Sequence, residues 1–211
     1  MKIIGISASG RKDRMIHNAI RKIVNRIDTP SEVISLSGKS INGCTGCTFC
    51  AGDNICKQKD DWNVIGEKMR EADIIIFGAP NYYGTINALG HACLERTFSF
   101  RHLGNFSLKG KLGISLSTTR NPHVEDPVKE MIERFMHSNQ MEVIGHAAIR
   151  GYNQCYTCGY GIDCAVGNVV KDHGYLDELK PEHYPLELDE QDESLEAIEI
   201  IVNKVNKKLS E

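Results

Sequence analysis

The stretch DIIIFGAP, residues 73–80, restricts the fold more than any other part of the chain. After Asp73 it is apolar without polar alternation, the pattern of a strand covered on both faces of a parallel sheet. Four further short runs read as strands: KIIGISAS (2–9), SEVISL (31–36), KLGISLST (111–118) and MEVIGHAAI (141–149). Between and after them apolar residues recur at helical spacing, most clearly over 14–27, where Met15, Ile16, Ala19, Ile20, Ile23, Val24 and Ile27 mark a helix with one apolar face. Residues 61–72, 85–100, 124–139 and 193–209 read as the other helices. Five strands alternating with five helices call for right-handed crossovers and a doubly wound α/β sheet. A chain of 211 residues suits one domain over 1–211, here with a cysteine-rich loop at 38–60 and a cysteine-rich C-terminal extension at 151–189.

Charge narrows the partners. With 25 basic and 28 acidic residues, net −3, there is no field to recruit nucleic acid or an anionic membrane. The start, MKIIGIS followed by RKDR, is unlike a signal peptide, and no apolar run approaches the length of a membrane span. A soluble, cytoplasmic protein is expected.

Three loops should meet at the carboxyl ends of the strands, where an open α/β sheet takes its ligand. The first, SASGRKDR (7–14), offers helix N-terminal amides, the hydroxyls of Ser7 and Ser9 and the cations Arg11 and Lys12, which suit a phosphate monoester. It is neither G-x-G-x-x-G nor a Walker A motif, so a mononucleotide fits better than a dinucleotide. GAPNYYGT (78–85) brings Tyr82 and Tyr83, which could stack on a flat heterocycle, and STTRN (117–121) brings hydroxyls and Arg120. A nucleotide-type first loop belongs at a topological switch point, which predicts the flavodoxin-like strand order 2-1-3-4-5.

Seven of the eight cysteines fall in two clusters, and in a reducing cytosol such clustering speaks for metal or redox chemistry. Cys44, Cys47, Cys50 and Cys56 follow C-x2-C-x2-C-x5-C. Structural zinc usually joins two separated pairs, whereas three closely spaced cysteines and a more distant fourth favour a [4Fe–4S] cube. Zinc and reduced structural or redox thiols are the alternatives. Because this loop follows the second strand, it is expected to leave the sheet at the same edge as the ligand loops. Cys155, Cys158 and Cys164 could hold a second cluster or metal with a fourth ligand from Cys93, His146, His173 or a partner chain, could act as a C-x-x-C redox pair, or could be structural. Cys93 alone reads as a core residue and Trp62 as packing; His91, His102 and His123 lie near the expected rim.

From Met1 to about residue 150, through GISASGRK, the cysteine loop, GAPNYYGTINALGHACLERT and STTRNPHVE, the chain resembles the iron–sulfur flavoproteins of the NADPH-dependent FMN reductase superfamily. The resemblance implies FMN, with Ser7, Ser9, Arg11 and Lys12 at its phosphate. Pro80, Asn81, Tyr82, Tyr83, Gly84, Ser117, Thr118 and Thr119 would surround its ring and ribityl chain. Many relatives have Asn or Ser followed by Thr where this chain has Met15 and Ile16, and Arg14 is the candidate to compensate. The resemblance further implies a ferredoxin-like electron donor, a small-molecule or protein acceptor, and a homodimer or homotetramer. The leading expectation is an electron-transfer oxidoreductase using FMN and a [4Fe–4S] cluster. An NAD(P)H-dependent FMN or quinone reductase with structural cysteines, and a metal-stabilised binding module without flavin, are the alternatives.

Overall fold

The computed structural model describes residues 1–120, 125–151 and 153–210; Asn121 and His123 lie outside the described residues. Six strands form in chain order: β1 (Ile3–Ser7), β2 (Ser31–Ser35), β3 (Ile74–Tyr82), β4 (Thr85–Ile86), β5 (Leu112–Thr119) and β6 (Glu142–Arg150). The five longer ones pair in parallel in the order β2-β1-β3-β5-β6, and the two-residue β4 turns back antiparallel on the end of β3. Without β4 this is the predicted flavodoxin-like order 2-1-3-4-5.

The helices α1 (Met15–Val24), α2 (Trp62–Glu71), α3 (Ala88–Glu95), α4 (Pro127–Ser138), α5 (Asn168–His173) and α6 (Asp192–Ser210) follow the alternation, with α5 inside the C-terminal extension. One apolar layer joins α1 and α6 to the sheet through Ile3, Ile74, Ile76, Ile114, Ile198 and Ile201. The other packs α2, α3 and α4 on the opposite face through Ile4, Ile6, Trp62, Phe77, Leu94 and Ile132. Alternate residues of β1 and β3 therefore serve different layers, which is why the DIIIFGAP run shows no polar alternation. Gly5 and Gly78 let α1 lie close, since a Cβ there would stand 2.2 Å from Ile20 Cγ2 and 2.7 Å from Ile16 Cγ2.

Two stretches depart from the expected elements. The helix predicted over 85–100 is a β-hairpin return at Thr85–Ile86, then α3, then a 3₁₀ turn over Arg96–Phe100. Hydroxyls explain the tightening: Thr97 Oγ1 donates to Leu94 O at 2.6 Å and Ser99 Oγ to Arg96 O at 3.0 Å, so the last carbonyls are taken by side chains. In the polar extension, α5 and short 3₁₀ turns form where the sequence showed no apolar period. No helix among the described residues is long and apolar enough to cross a membrane.

Candidate functional site

A cavity of about 960 Å³ opens at the carboxyl edge of the sheet. Eight of the predicted ligand residues line it: Arg11, Pro80, Asn81, Tyr82, Tyr83, Thr118, Thr119 and Arg120. Ser9 and Arg14 line an adjoining crevice with Met15, Ile16 and Pro80 at the start of α1. Ser9 Oγ accepts from Arg11 N at 3.1 Å and so shapes that turn. The first turn of α1, whose residues Met15 and Ile16 line the crevice, receives no side-chain cap. Met15 and Ile16 are both buried in the α1 layer.

The rest of the predicted set is placed differently. Ser7 is fully buried at the end of β1, and its Oγ has no hydrogen-bond partner. Lys12 is exposed. Gly84 forms the turn of the β3–β4 hairpin with Tyr83; both have left-handed backbones, φ 74° and 56°, the signature of a type I′ turn. Gly84 N donates to Asn81 Oδ1 at 2.9 Å, and the fixed turn holds the Tyr83 ring out at the rim, fully exposed. Ser117 points away, to the α4 side, where its Oγ donates to Asp126.

That contact belongs to a part-buried polar chain the sequence did not announce. Ser115 Oγ donates to Glu133 Oε1 at 2.9 Å and lies 2.8 Å from His146 Nδ1, while His146 Nε2 stands at ion-pair distance, 3.2 Å, from Asp126 Oδ2. Asp126 also caps α4 by accepting from Val128 N and Lys129 N. Burial works to raise its pKa, but the His146 and Ser117 contacts and the helix amides outweigh it and bring the carboxyl to about 2.

The four cysteines of the first loop line one small cavity of their own, together with Gly46, Arg96 and Phe98. Burial pushes the Cys50 thiol up, and the neighbouring Cys56, Cys44 and Cys47 add to that. Cys47 is shifted down by the Phe49 amide and the Thr45 side chain. Gly46, Thr48 and Asn54 take left-handed backbones that fold the loop onto itself. His102 Nε2 lies 3.2 Å from Cys50 Sγ, and Asn54 holds the His102 segment through its amide.

Below the thiols sits a buried ion pair. Arg96 and Asp60, with side chains 0% and 4% exposed, meet in two contacts of 2.6 and 3.2 Å. Arg96 also donates to Asn42 O, and Asp60 accepts from the Asn42 and Trp62 amides, so both ends of the loop are tied to one charge pair. The side chain of Glu95 accepts from Cys44 N at 2.8 Å. The loop leaves the carboxyl edge as expected, but it runs along α2 and α3. Among the described residues none of its cysteines lines the carboxyl-edge cavity.

The second cysteine segment does reach that cavity. Cys155 lines it with Arg150, Gly151, Tyr156, Asn168 and Asp172. Arg120 fastens the segment by donating to Asn168 Oδ1 at 2.8 Å and pairing with Asp172, to which Tyr156 also donates at 2.9 Å. Burial and Asp172 raise the Tyr156 phenol to about 12. Cys93 is sealed in the α3 layer with its thiol pushed up to about 12 by burial, and Trp62 is core, its ring 5.6 Å from Phe100. His91 packs edge-on against Phe135. Among the described residues no three His, Cys, Asp or Glu side chains are gathered closely enough for a single metal ion.

A family model described as NADPH-dependent FMN reductase matches residues 1–153. The chain belongs to this family, in its iron–sulfur flavoprotein branch. It is 35% identical over 150 residues to an iron–sulfur flavoprotein of Methanocaldococcus jannaschii, covering 69% of this chain and 76% of the relative. An iron–sulfur flavoprotein of Methanosarcina thermophila is likewise 35% identical over 150 residues, 69% of this chain and 78% of the relative. Among solved structures, RosB aligns over 99% of this chain and 79% of its own with a TM-score of 0.62 at 15% identity. An NADH:FMN oxidoreductase aligns over 70% and 74% with a TM-score of 0.51 at 19% identity. These last two show the shared fold. The family makes the chain an oxidoreductase, and its match ends before Cys155, Cys158 and Cys164.

Sequence reasoning missed Arg96, Asp60 and the cavity wall from the extension. Arg96 lies in a segment read as continuous helix, and only its place behind the cysteine loop gives it meaning. Arg150, Asn153 and Gln154 carried no motif, although their nearness to the Cys155 cluster was a signal.

Proposed function

We propose that this protein is an electron-transfer oxidoreductase that holds FMN in the carboxyl-edge cavity and one [4Fe–4S] cluster on Cys44, Cys47, Cys50 and Cys56. The observation that carries the reading is the four-cysteine cavity backed by Arg96 in a chain of the FMN reductase family. The residues present fit both groups. Ser7 Oγ is a buried hydroxyl without a partner, the first turn of α1 is uncapped, and Arg11 and Arg14 stand beside it, a donor set suited to a phosphate dianion. Met15 and Ile16 contribute packing in place of hydroxyl or amide donors. The Tyr82–Tyr83 hairpin and Thr118–Thr119, at the ends of the adjacent strands β3 and β5, both line the cavity and offer ring faces and hydroxyls to a flat ring. In the cysteine cavity the Arg96 guanidinium lies against Cys56, and its positive charge offsets part of the charge that thiolates bring.

When bound, a cube exchanges single electrons and FMN one or two, which joins a one-electron donor to a two-electron acceptor. The chain's own residues bind, orient and tune; no side chain is required as a general acid. A ferredoxin-like donor, a small-molecule or protein acceptor, and a homodimer or homotetramer complete the proposal. The test is anaerobic purification with iron, sulfide, zinc and flavin quantification. About four iron atoms lost on Cys47→Ser, with flavin retained, supports the reading; zinc without iron overturns it.

The separation of the two cavities within one chain favours a second reading, an NAD(P)H-dependent reductase that delivers reducing equivalents directly into the carboxyl-edge cavity. Rapid flavin bleaching by NAD(P)H in the Cys47→Ser protein would select it.

A further inference from the structure

The extension repeats a spacing from the first loop. Cys47, Cys50 and Cys56 are separated by two and five residues, and so are Cys155, Cys158 and Cys164, outside the span matched by the family. We propose that Cys155, Cys158 and Cys164 ligate a second [4Fe–4S] cluster in the wall of the carboxyl-edge cavity.

The three sulfurs are brought to one turn of chain. Asn168 N donates to Cys155 Sγ at 3.4 Å, and a Cβ on the preceding Gly167 would stand 3.3 Å from Cys164 Sγ, so Cys155 and Cys164 flank a single peptide. Cys158 Sγ sits 3.5 Å from Cys155 O and accepts from Tyr160 N at 3.4 Å. Backbone amides thus already point at two of the three sulfurs, and such hydrogen bonds to ligand sulfur stabilise and tune clusters. The turn closes over the cysteines only because position 161 is glycine: a Cβ there would lie 2.1 Å from Cys155 O.

The chemistry separates the occupants. A zinc ion with bonds of about 2.3 Å would draw its sulfurs to about 3.8 Å of one another and would need a fourth protein ligand to close a structural site. A cube carries its thiolates farther apart. A Cys155–Cys158 disulfide would leave Cys164 and its close approach to Gly167 without a role. Of the protein groups considered as a fourth ligand, Cys93 is sealed in the core, His146 lies 2.8 Å from Ser115 Oγ, and His173 faces Tyr156 and His183. A fourth ligand would then come from a small molecule in the cavity that Cys155 lines or from a partner chain.

The experiment compares the full chain, purified anaerobically, with Cys158→Ser, Cys164→Ser and Cys47→Ser. Cys158 is exposed, so its replacement leaves folding intact even if the Cys164 variant does not fold. Expected are about eight iron atoms per wild-type chain and about four in each single variant, with flavin content and circular dichroism of Cys158→Ser unchanged and one of two reduced-state EPR signals gone. Wild-type iron in Cys158→Ser overturns the proposal, as does loss of one zinc in place of iron, or a Cys155–Cys158 disulfide in peptides alkylated anaerobically. If Cys158→Ser loses iron and Cys47→Ser does not, the second cluster stands and the cluster of the proposed function falls.

Discussion

The two cysteine segments share a spacing and differ in how the fold grips them. The first is clamped by the Arg96–Asp60 pair, both side chains essentially out of water, and by amide contacts on each side of it. The second is held across the cavity by Arg120 and Asp172, whose side chains are 53% and 26% exposed. A buried pair enforces one arrangement because either charge alone would be stranded, whereas a half-exposed pair can be replaced by water. The first loop is thus built as a fixed chamber and the second as an adjustable wall.

Removing one partner of the buried pair should have the largest effect. Arg96→Met leaves the Asp60 carboxylate under the loop without its counter-ion, and a loss of about 3–5 kcal/mol is expected, read as a lower urea midpoint at constant slope. Arg96→Met combined with Asp60→Leu should recover much of it, because no charge is then stranded. Equal loss in the single and double variants would mean that packing against Trp62, whose ring lies 5.8 Å from the guanidinium, matters more than charge.

The contrast was only partly legible beforehand. The sheet order could be read because buried strands and amphipathic helices follow local periodicity, as Ile74–Phe77 and Ile16–Ile23 show. The ligand loops could be read because each sits at a strand end. Arg96 and Asp60 are separated by 36 residues, and nothing local marks either as a buried partner. Ser117 looked like a cavity hydroxyl, but strand alternation turns it to the α4 side, where Asp126 waits. The extension lacked periodicity because polar clasps such as Arg120–Asp172, more than an apolar face, hold it.

Asp126 lies between the extremes, at the base of the loop that carries Arg120. Its carboxyl titrates near 3.8 when unperturbed and at about 2 in the fold. The lowered value means stabilisation that is complete above about pH 4 and drains away as pH falls toward 2. Asp126→Asn should cost about 2 kcal/mol at neutral pH, and the gap to wild type should close across that acid window. A gap independent of pH would assign the effect to the lost α4 cap.

Arg120→Gln should have the smallest global and the most local effect. An ion pair this exposed is worth at most about 1 kcal/mol, so the urea midpoint should barely move. The clasp, however, joins the β5 end to Asn168 and Asp172, on either side of the turn that Tyr156 packs against. Amide exchange over 153–173 should accelerate while the Arg96–Asp60 region keeps its protection. Tyr156→Phe, which removes the phenol's contacts with Asp172 and His173 and keeps the ring, should reproduce part of that acceleration. If exchange rises equally in both cysteine segments, the division into fixed chamber and adjustable wall fails, and the molecule opens as one cooperative unit.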